Sequence, residues 1–247
     1  MRFVDALLRQ PGFSPAQLVI AAIMYLAWTA AYFFIIVKGF RDKSYGVPWA
    51  SLMLNIVWEA LFSFELTDAR LHPFFLWGNR LWLVFDVAIV YQFFRYGREA
   101  QPHKVVREYF LVFALASLVF SAVGLYTFIF YFEDRKGVVS SMFMNLSMGV
   151  LYIFMHLQRP DDRGMSAPAA WLKMIGTAAG SVFLYTWWPA QFVDGHLRTH
   201  PEVAAPRHWG FTWFLYAGNL VVDGFYLFIL WRMKQGRKAL PSVERGG

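Results

Sequence analysis

Seven long apolar stretches are the feature that most constrains the fold of this 247-residue chain. A helix needs about 20 apolar residues to cross the roughly 30 Å of hydrocarbon in a bilayer, and each stretch is about that long. The segments between them are short, so no soluble domain fits. We therefore predict an all-α integral membrane protein, with a single bundle of seven transmembrane helices in one domain over residues 1–247. The predicted spans are 17–37, 47–66, 76–94, 107–131, 138–157, 168–188 and 210–231.

Composition excludes several classes of protein. Hydrophobic residues make up 58% of the chain and charged residues only 16%, against roughly 25% charged in a typical soluble domain. The net charge is +7, but no basic face lies outside the apolar stretches, so we expect no nucleic-acid partner. The chain has no cysteine, which excludes disulfides, thiolate metal sites and cysteine nucleophiles. The first apolar stretch is a full-length span without a good cleavage site after it, so we expect no cleavable signal peptide.

The distribution of positive charge predicts the orientation. The connections at 38–46, 95–107 and 158–167 and the C-terminal tail carry 14 lysines and arginines, whereas the N-terminus and the other three connections carry 8 when Arg80, near the outer end of the third span, is counted with them. Cytoplasmic loops are the ones enriched in Lys and Arg. We therefore expect the N-terminus outside and the C-terminus in the cytoplasm, in a bacterial inner membrane or an endoplasmic reticulum membrane.

Four charged residues are clear cases of charge inside the predicted spans, away from the first and last few residues: Glu59, Asp86, Lys173 and Asp223. Charges at this depth are costly and usually functional. Lys173 lies near the end of its span, where a long side chain can reach the interface, so we attach no function to it. The three acids have shorter side chains and lie deeper, and they predict a functional polar layer inside the membrane.

Asparagines lie in the same layer as these acids. Asn55 is four residues before Glu59 and Asn219 is four residues before Asp223, so each pair shares one helix face. Asn145 on the fifth span also falls about 18 Å from the cytoplasmic end of its helix. These polar groups predict a pocket between the second, third, fifth and seventh helices. The alternative is that they only hold helices together through buried hydrogen bonds.

Aromatic side chains surround the polar layer and indicate its chemistry. Desolvation and a like-charged neighbour both favour the protonated form of a buried acid, and a protonated acid can donate a proton. Aromatic faces stabilise cations in a dry site. Together these features are what a carbocation cyclisation started by proton transfer requires. The candidate cation-stabilising aromatics are Trp58, Phe62, Trp82, Phe85, Trp213, Tyr216 and Tyr226.

Four stretches in the predicted spans form an ordered pattern. They are PWASLMLNIVWEALF at 48–62, RLWLVFDVAIVY at 80–91, MNLSMGVLY at 144–152 and GNLVVDGFYLFIL at 218–230. In this order they resemble the transmembrane terpene cyclases of meroterpenoid pathways, which include fungal pyripyropene and paspaline cyclases and bacterial drimentine-type cyclases. Helix number and chain length are also similar. The connection at 189–209 matches nothing in that pattern, so the substrate is not specified.

The resemblance implies a membrane-bound terpene cyclase in which Glu59 and Asp223 form the acid pair. It implies a lipophilic, prenylated and often epoxidised substrate, supplied by a pathway prenyltransferase or epoxidase. It also implies an acid-initiated, class II-like reaction without metal or cofactor, and the chain has neither a DDxxD metal motif nor a DxDD acid motif. We expect Glu59 to donate the proton. The supporting polar groups would be Asn55, Asp86, Asn145 and Asn219.

Other classes of membrane protein explain less of the sequence. A seven-helix transporter of small solutes would use intramembrane acids as coupling sites, and it is the alternative function. The seventh span contains no lysine, which disfavours a retinal receptor. A membrane scaffold without activity would leave the polar layer unexplained.

Overall fold

The computed structural model describes residues 14–67, 71, 73–159, 161–194 and 207–239, and this part of the chain contains helices and no strand. One helix lies in each of the seven predicted spans, and a short additional helix precedes the fourth span. The helices are α1 (Pro15–Asp42), α2 (Trp49–Ser63), α3 (Pro73–Tyr96), α4 (Lys104–Glu108), α5 (Phe110–Tyr131), α6 (Val138–Gln158), α7 (Ala167–Asp194) and α8 (Arg207–Ala239).

Local sequence signals set the ends of these helices. Ser14 caps α1, because its hydroxyl accepts a hydrogen bond from the Gln17 backbone while the Gln17 side chain accepts one from the Ser14 backbone. Lys43 ends the same helix in the left-handed conformation. Gly137 precedes α6 with a φ of 71°, which glycine adopts without steric cost. The observed helices run up to eight residues beyond the predicted spans, as α8 does at Ala239.

Five helices in the described part of the chain are long and apolar enough to cross a membrane. They are α1, α3, α5, α6 and the Gly210–Met233 portion of α8. Helix α2 has 15 residues, a length of about 22 Å at 1.5 Å per residue, and α7 carries Lys173 in its interior. The helical architecture is confirmed, whereas the number of seven spans and the orientation stay predictions.

Six of the helices form a ring. Helix α1 has its most extensive contact with α7 and also packs against α3. From α3 the contacts continue to α2, then to α6, to α8 and back to α7, which closes the ring. Helix α5 packs mainly against α2 and exposes most of its apolar surface. The ring encloses the space in which the candidate site lies.

An aromatic cluster packs one end of the bundle. The Phe93 ring lies 5.3 Å from Tyr45, 5.0 Å from Trp49 and 4.9 Å from Phe110 between ring centroids. The Arg159 guanidinium lies 4.4 Å from the Tyr45 ring and donates to the Tyr45 carbonyl. This end, which is predicted to be cytoplasmic, is therefore densely packed.

Candidate active site

A cavity of about 180 Å³ lies inside the ring, between α1, α2, α3, α6 and α7. Leu71, after α2, and Lys136, before α6, also line it, so the cavity extends to the end of the bundle that is predicted to face outside. The expected pocket included the second, third and fifth spans, which do line this cavity. It also included the seventh span, but α8 contributes no lining residue, and α1 and α7 line the cavity in its place.

Glu59 is the carboxyl group in the cavity wall. It shares one face of α2 with Asn55, one turn earlier, and both residues line the cavity. The Glu59 side chain is 4% exposed, and its Oε2 has no hydrogen-bond partner among the described residues. No basic side chain in the described part of the chain forms an ion pair with it. The cavity therefore contains a buried carboxyl that forms no ion pair with any described residue, including Lys136, which lines the same cavity.

A second acid, Asp86 on α3, lies beside Glu59. The two carboxyl groups interact electrostatically, and Asp86 is 1% exposed. The Tyr32 and Asn55 side chains lie close to the Asp86 carboxyl, whose Oδ2 has no hydrogen-bond partner among the described residues. The Asn55 side-chain amide also donates a hydrogen bond of 2.7 Å to the Tyr32 hydroxyl. Two acids, an amide and a phenol from three helices thus form one buried cluster.

Asp223 on α8 has a different partner. Its Oδ1 accepts a hydrogen bond from the Lys173 ammonium at 2.5 Å, and both side chains are almost completely buried. Gly149 on α6 makes room for this pair, because a Cβ there would lie 3.1 Å from Asp223 Oδ1 and 2.8 Å from Val222 Cγ1. The expectation that Lys173 reaches the interface is wrong. Its side chain turns into the bundle, where Asp223 compensates a charge that would otherwise be costly to bury.

The ring of helices explains why the acids have these neighbours. Helix α2 packs against α3, so Glu59 meets Asp86. Helix α8 packs against α7, so Asp223 meets Lys173. The depth of each acid could be estimated from the sequence, but neighbouring helices could not be assigned from depth alone. The pairing of Glu59 with Asp223 rests on the family resemblance, and each of them has a nearer titratable neighbour in the structure.

The two remaining asparagines link helices. The Asn145 amide lines the cavity and donates a 2.9 Å hydrogen bond to the Thr177 hydroxyl on α7. The Asn219 amide donates to the backbone carbonyl of Met142 on α6 at 3.0 Å and lines no described cavity. Helix linkage therefore accounts for Asn219, whereas Asn145 both links two helices and borders the cavity.

Two of the seven predicted aromatics, Trp58 and Trp82, line the cavity. The Trp58 indole N–H donates to the Ser140 hydroxyl at 2.9 Å. The Trp82 indole N–H donates to the Thr29 hydroxyl at 3.1 Å, and its ring stacks on Tyr25 with centroids 4.4 Å apart. Because each indole has a hydrogen-bond partner outside the cavity, its ring has a fixed orientation in the wall.

Two further predicted aromatics lie behind the wall. The Phe62 ring is 4.3 Å from the Trp58 ring, and the Phe85 ring is 5.9 Å from the Tyr32 ring, between centroids. Neither Phe62 nor Phe85 lines the cavity. They support the aromatic side chains that do.

The three predicted aromatics on α8 do not line the main cavity. Trp213 is 51% exposed and contacts Tyr185 on the outer side of the bundle, so it cannot be a wall residue. Tyr216 is buried in an apolar cluster with Leu215 and lines neither cavity. Tyr226 lines a second, smaller cavity. The expectation for these residues depended on α8 facing the cavity, which it does not do.

The aromatic face of α1 was missed in the sequence. Tyr25, Trp28 and Tyr32 line the cavity and are spaced at i, i+3 and i+7, which places them on one side of a helix. This spacing is visible in the sequence. The first predicted span contains no charged residue, so the aromatic spacing is the signal in the sequence that marks this face.

The second cavity has a volume of about 30 Å³ and adjoins the first. Trp28, Tyr32, Asn55 and Met148 line both cavities. Lys173 lines only the second. The smaller cavity therefore adjoins Asn55, which lies one turn before Glu59 on the same face of α2.

A family model and individual relatives agree on the family that this chain resembles. A family model described as Pyr4-like transmembrane terpene cyclases matches residues 5–236. A similar relative is the Pyr4-family terpene cyclase mfmH of Annulohypoxylon moriforme, 27% identical over 83% of this chain and 81% of the relative. Terpene cyclase ascF of Acremonium egyptiacum is 24% identical over 95% and 88% of the two chains. Terpene cyclase macJ of Penicillium terrestre is 24% identical over 90% and 83%.

Proposed function

The chain belongs to the Pyr4-like transmembrane terpene cyclases, and we propose that it protonates the terminal alkene or epoxide of a prenylated substrate and guides its polycyclisation in the larger cavity. Membership of this family supports the general part of the proposal, that the chain is a membrane enzyme that cyclises a lipophilic terpenoid. The transporter alternative finds no support in these relatives. We also propose that the chain forms a single domain with seven membrane spans and that its N-terminus lies outside.

The observation that carries the proposal is a buried carboxyl without a counter-ion in an aromatic cavity. A desolvated acid with no cation beside it is favoured in its neutral form, as a general rule. Glu59 meets this description and Asp223, paired with Lys173, does not. We therefore assign proton donation to Glu59.

Proton transfer from Glu59 would begin the reaction. With an alkene the proton adds to the terminal carbon and leaves a carbocation, and with an epoxide it adds to oxygen while the carbon–oxygen bond breaks. Successive alkenes attack the cation and form carbon–carbon bonds. Loss of a proton from carbon to a carboxylate ends the sequence and restores the acid. The product is then an isomer of the substrate, so no metal, oxidant or cofactor enters the balance.

The aromatic wall would stabilise the intermediate cations. Trp28, Trp58 and Trp82 line the cavity from three different helices, and a desolvated cation over an aromatic face gains about 2 kcal/mol or more. Asp86, in contact with Tyr32 and Asn55, would orient the Glu59 carboxyl and take part in returning its proton.

The size of the cavity indicates an adaptable wall. Its volume of about 180 Å³ is below the roughly 300–1,000 Å³ of typical ligand pockets. Met24, Met142, Met144 and Met148 line it, and methionine side chains rearrange easily. We propose that these side chains move when the substrate binds. The substrate would come from a prenyltransferase, with or without an epoxidase, and would enter from a bacterial inner membrane or an endoplasmic reticulum membrane.

The test is conversion of linear prenylated phenols by membranes that contain the chain. The panel covers several prenyl lengths, each with and without a terminal epoxide, and mass spectrometry and NMR identify cyclised products of unchanged mass. We expect Glu59→Gln to lower conversion by at least the 10²–10⁴-fold typical of a lost general acid. Glu65→Gln, an exposed acid six residues later, is the matched control and keeps full activity.

Two results would contradict the proposal. If every substrate in the panel is returned unchanged by the wild-type protein while relatives convert it, the proposed substrate class is wrong. If Glu59→Gln cyclises a substrate at the wild-type rate, then another group is the proton donor.

A further inference from the structure

The Lys173 ammonium has unused hydrogen-bonding capacity. An ammonium group carries three N–H donors, and among the described residues Lys173 donates only to Asp223. The side chain is about 5% exposed, so bulk water does not satisfy the other two donors. The Trp28 ring, with its centroid 5.6 Å from the Lys173 nitrogen, interacts with the charge but accepts no conventional hydrogen bond. A buried ion pair is stable only when additional hydrogen bonds satisfy its remaining donors and acceptors.

The second oxygen of Asp223 is in the same condition. Asp223 Oδ2 is buried and has no hydrogen-bond partner among the described residues. Lys173 and Asp223 Oδ2 therefore both have hydrogen-bonding capacity that no described residue uses, and of the two residues only Lys173 lines a described cavity. A hydroxyl or ether oxygen beside Lys173 would accept a hydrogen bond from its ammonium.

The smaller cavity is where such a group fits. Lys173 lines it, and its volume of about 30 Å³ exceeds the roughly 10–15 Å³ needed for one water molecule. The hydrogen-bonding residues Tyr152 and Tyr226 also line it. The space is sufficient for one oxygen atom and its nearest carbon, and too small for a ring of the terpenoid.

The position of this cavity connects it with the reaction. It shares Asn55 with the larger cavity, and Asn55 lies one turn from Glu59 on the same face of α2. It also shares Met148, a side chain that can rearrange. A chain that fills the larger cavity with its end near Glu59 therefore has the smaller cavity directly beyond that end.

We propose, on the basis of the function above, that the smaller cavity binds an oxygen substituent at the reacting end of the terpenoid, with Lys173 as the hydrogen-bond donor. Lys173 and Asp223 then act as a positioning pair for the substrate. This role differs from proton donation, because Lys173 and Asp223 hold the oxygen, whereas Glu59, one turn from Asn55, supplies the proton, which for an epoxide goes to that same oxygen.

The test measures binding and does not depend on turnover. The probes are two phenyl ethers with the same fully saturated farnesyl-type chain, one ending in a tertiary alcohol and the other in the corresponding hydrocarbon. Neither probe can cyclise. We expect the full-length protein in detergent to bind the alcohol about tenfold or more tightly than the hydrocarbon, because a hydrogen bond to a charged group contributes on this order.

Two variants should remove this preference. Lys173→Met alone would leave Asp223 buried and unpaired, so it is combined with Asp223→Leu, because apolar replacement of a buried ion pair is often neutral for folding. Ala170→Val narrows the smaller cavity and leaves the ion pair in place, since Ala170 lines that cavity. In both proteins the affinity ratio of alcohol to hydrocarbon should fall to about one. Lys104→Met, at an exposed lysine, should keep the wild-type ratio.

Each other outcome overturns the proposal. A ratio near one in the wild-type protein would assign the smaller cavity to water. A tenfold ratio that persists in both variants would place the alcohol elsewhere. Failure of the proposed function would look different, since it would appear as absent cyclisation in the conversion assay and would not alter the binding ratio.

Discussion

At the level of single residues, the structure adds to the sequence the identity of the residues that contact each buried acid. Glu59, Asp86 and Asp223 could be identified from the sequence because a charge within an apolar stretch is conspicuous. The partner of Lys173 could not be predicted in the same way, since an estimate of depth along one helix does not reveal which helix lies opposite. The burial of Lys173 against Asp223 leaves Glu59 as the acid of the cavity that has no counter-ion.

The contact between Glu59 and Asp86 leads to a prediction for Asp86→Asn. The substitution keeps the shape and the contacts to Tyr32 and Asn55 but removes the second carboxyl. We expect conversion to fall about 10-fold to 100-fold, less than for Glu59→Gln, because a supporting group contributes less than the general acid. The measurement is initial rate per amount of folded protein in membranes.

The double variant Glu59→Gln with Asp86→Asn distinguishes a shared role from two independent ones. If the acids act as one unit, the double variant is no slower than Glu59→Gln alone, since effects within a catalytic unit are not additive. If the fold-reductions in conversion of the two single variants multiply in the double variant, then Asp86 acts independently of Glu59.

Among the elements, the start of α6 fixes one part of the cavity wall. Asp134 accepts hydrogen bonds from the backbone N–H groups of Val139 and Ser140 at 3.1 and 2.8 Å, and so satisfies two donors that have no partner within the first turn of the helix. The Ser140 hydroxyl in turn accepts from Trp58. Burial raises the pKa of Asp134, which lies in the connection before α6. A connection outside the spans therefore helps to orient an aromatic side chain inside the cavity.

Gly137 in this connection gives a second prediction. Its φ is 71°, and a Cβ would lie 2.6 Å from Trp58 and 2.5 Å from Phe62. We expect Gly137→Ala to lower stability by about 1–3 kcal/mol, the order of cost for a residue held in the left-handed region. Thermal unfolding in detergent measures the change.

Gly124→Ala is the control for this experiment, because a Cβ at Gly124 on α5 would meet nothing within 4 Å. We expect it to leave the melting temperature unchanged or slightly raised, as alanine is the better helix former. An equal loss of stability in both variants would mean that the contact of Gly137 with the two rings is unimportant.

For the molecule as a whole, most of the fold could be predicted from the sequence. One helix occurs in each predicted span, since spans of about 20 apolar residues are determined locally by length and hydropathy. The order of the six helices around the bundle could not be predicted in the same way. It depends on which faces pack together, and Trp213 on α8 shows the consequence, because its position in the sequence near Asp223 did not bring it into the cavity.

The reaction proposed for the whole protein requires no metal ion. In the parts of the chain that the structure describes, no group of three or more His, Asp or Glu side chains could hold one. We expect membranes treated with a chelator to keep their full rate of conversion. The same treatment of a metal-dependent diphosphate cyclase is the positive control. Loss of activity that magnesium restores would require a different initiation step.

The wall of the larger cavity has two chemically distinct sides. The indole and phenol rings come from α1, α2 and α3, whereas α6 contributes Met142, Met144 and Met148 and no aromatic residue. Under the proposed function, charge stabilisation therefore belongs to α1, α2 and α3, whereas accommodation of substrate size belongs mainly to α6, with Met24 on α1 as the one methionine on the aromatic side. Substitutions on α6 can change which chain length fits while the aromatic side remains intact. During evolution, substitutions on α6 could therefore change the carbon skeleton of the product while the residues that donate the proton and stabilise the cation stay the same.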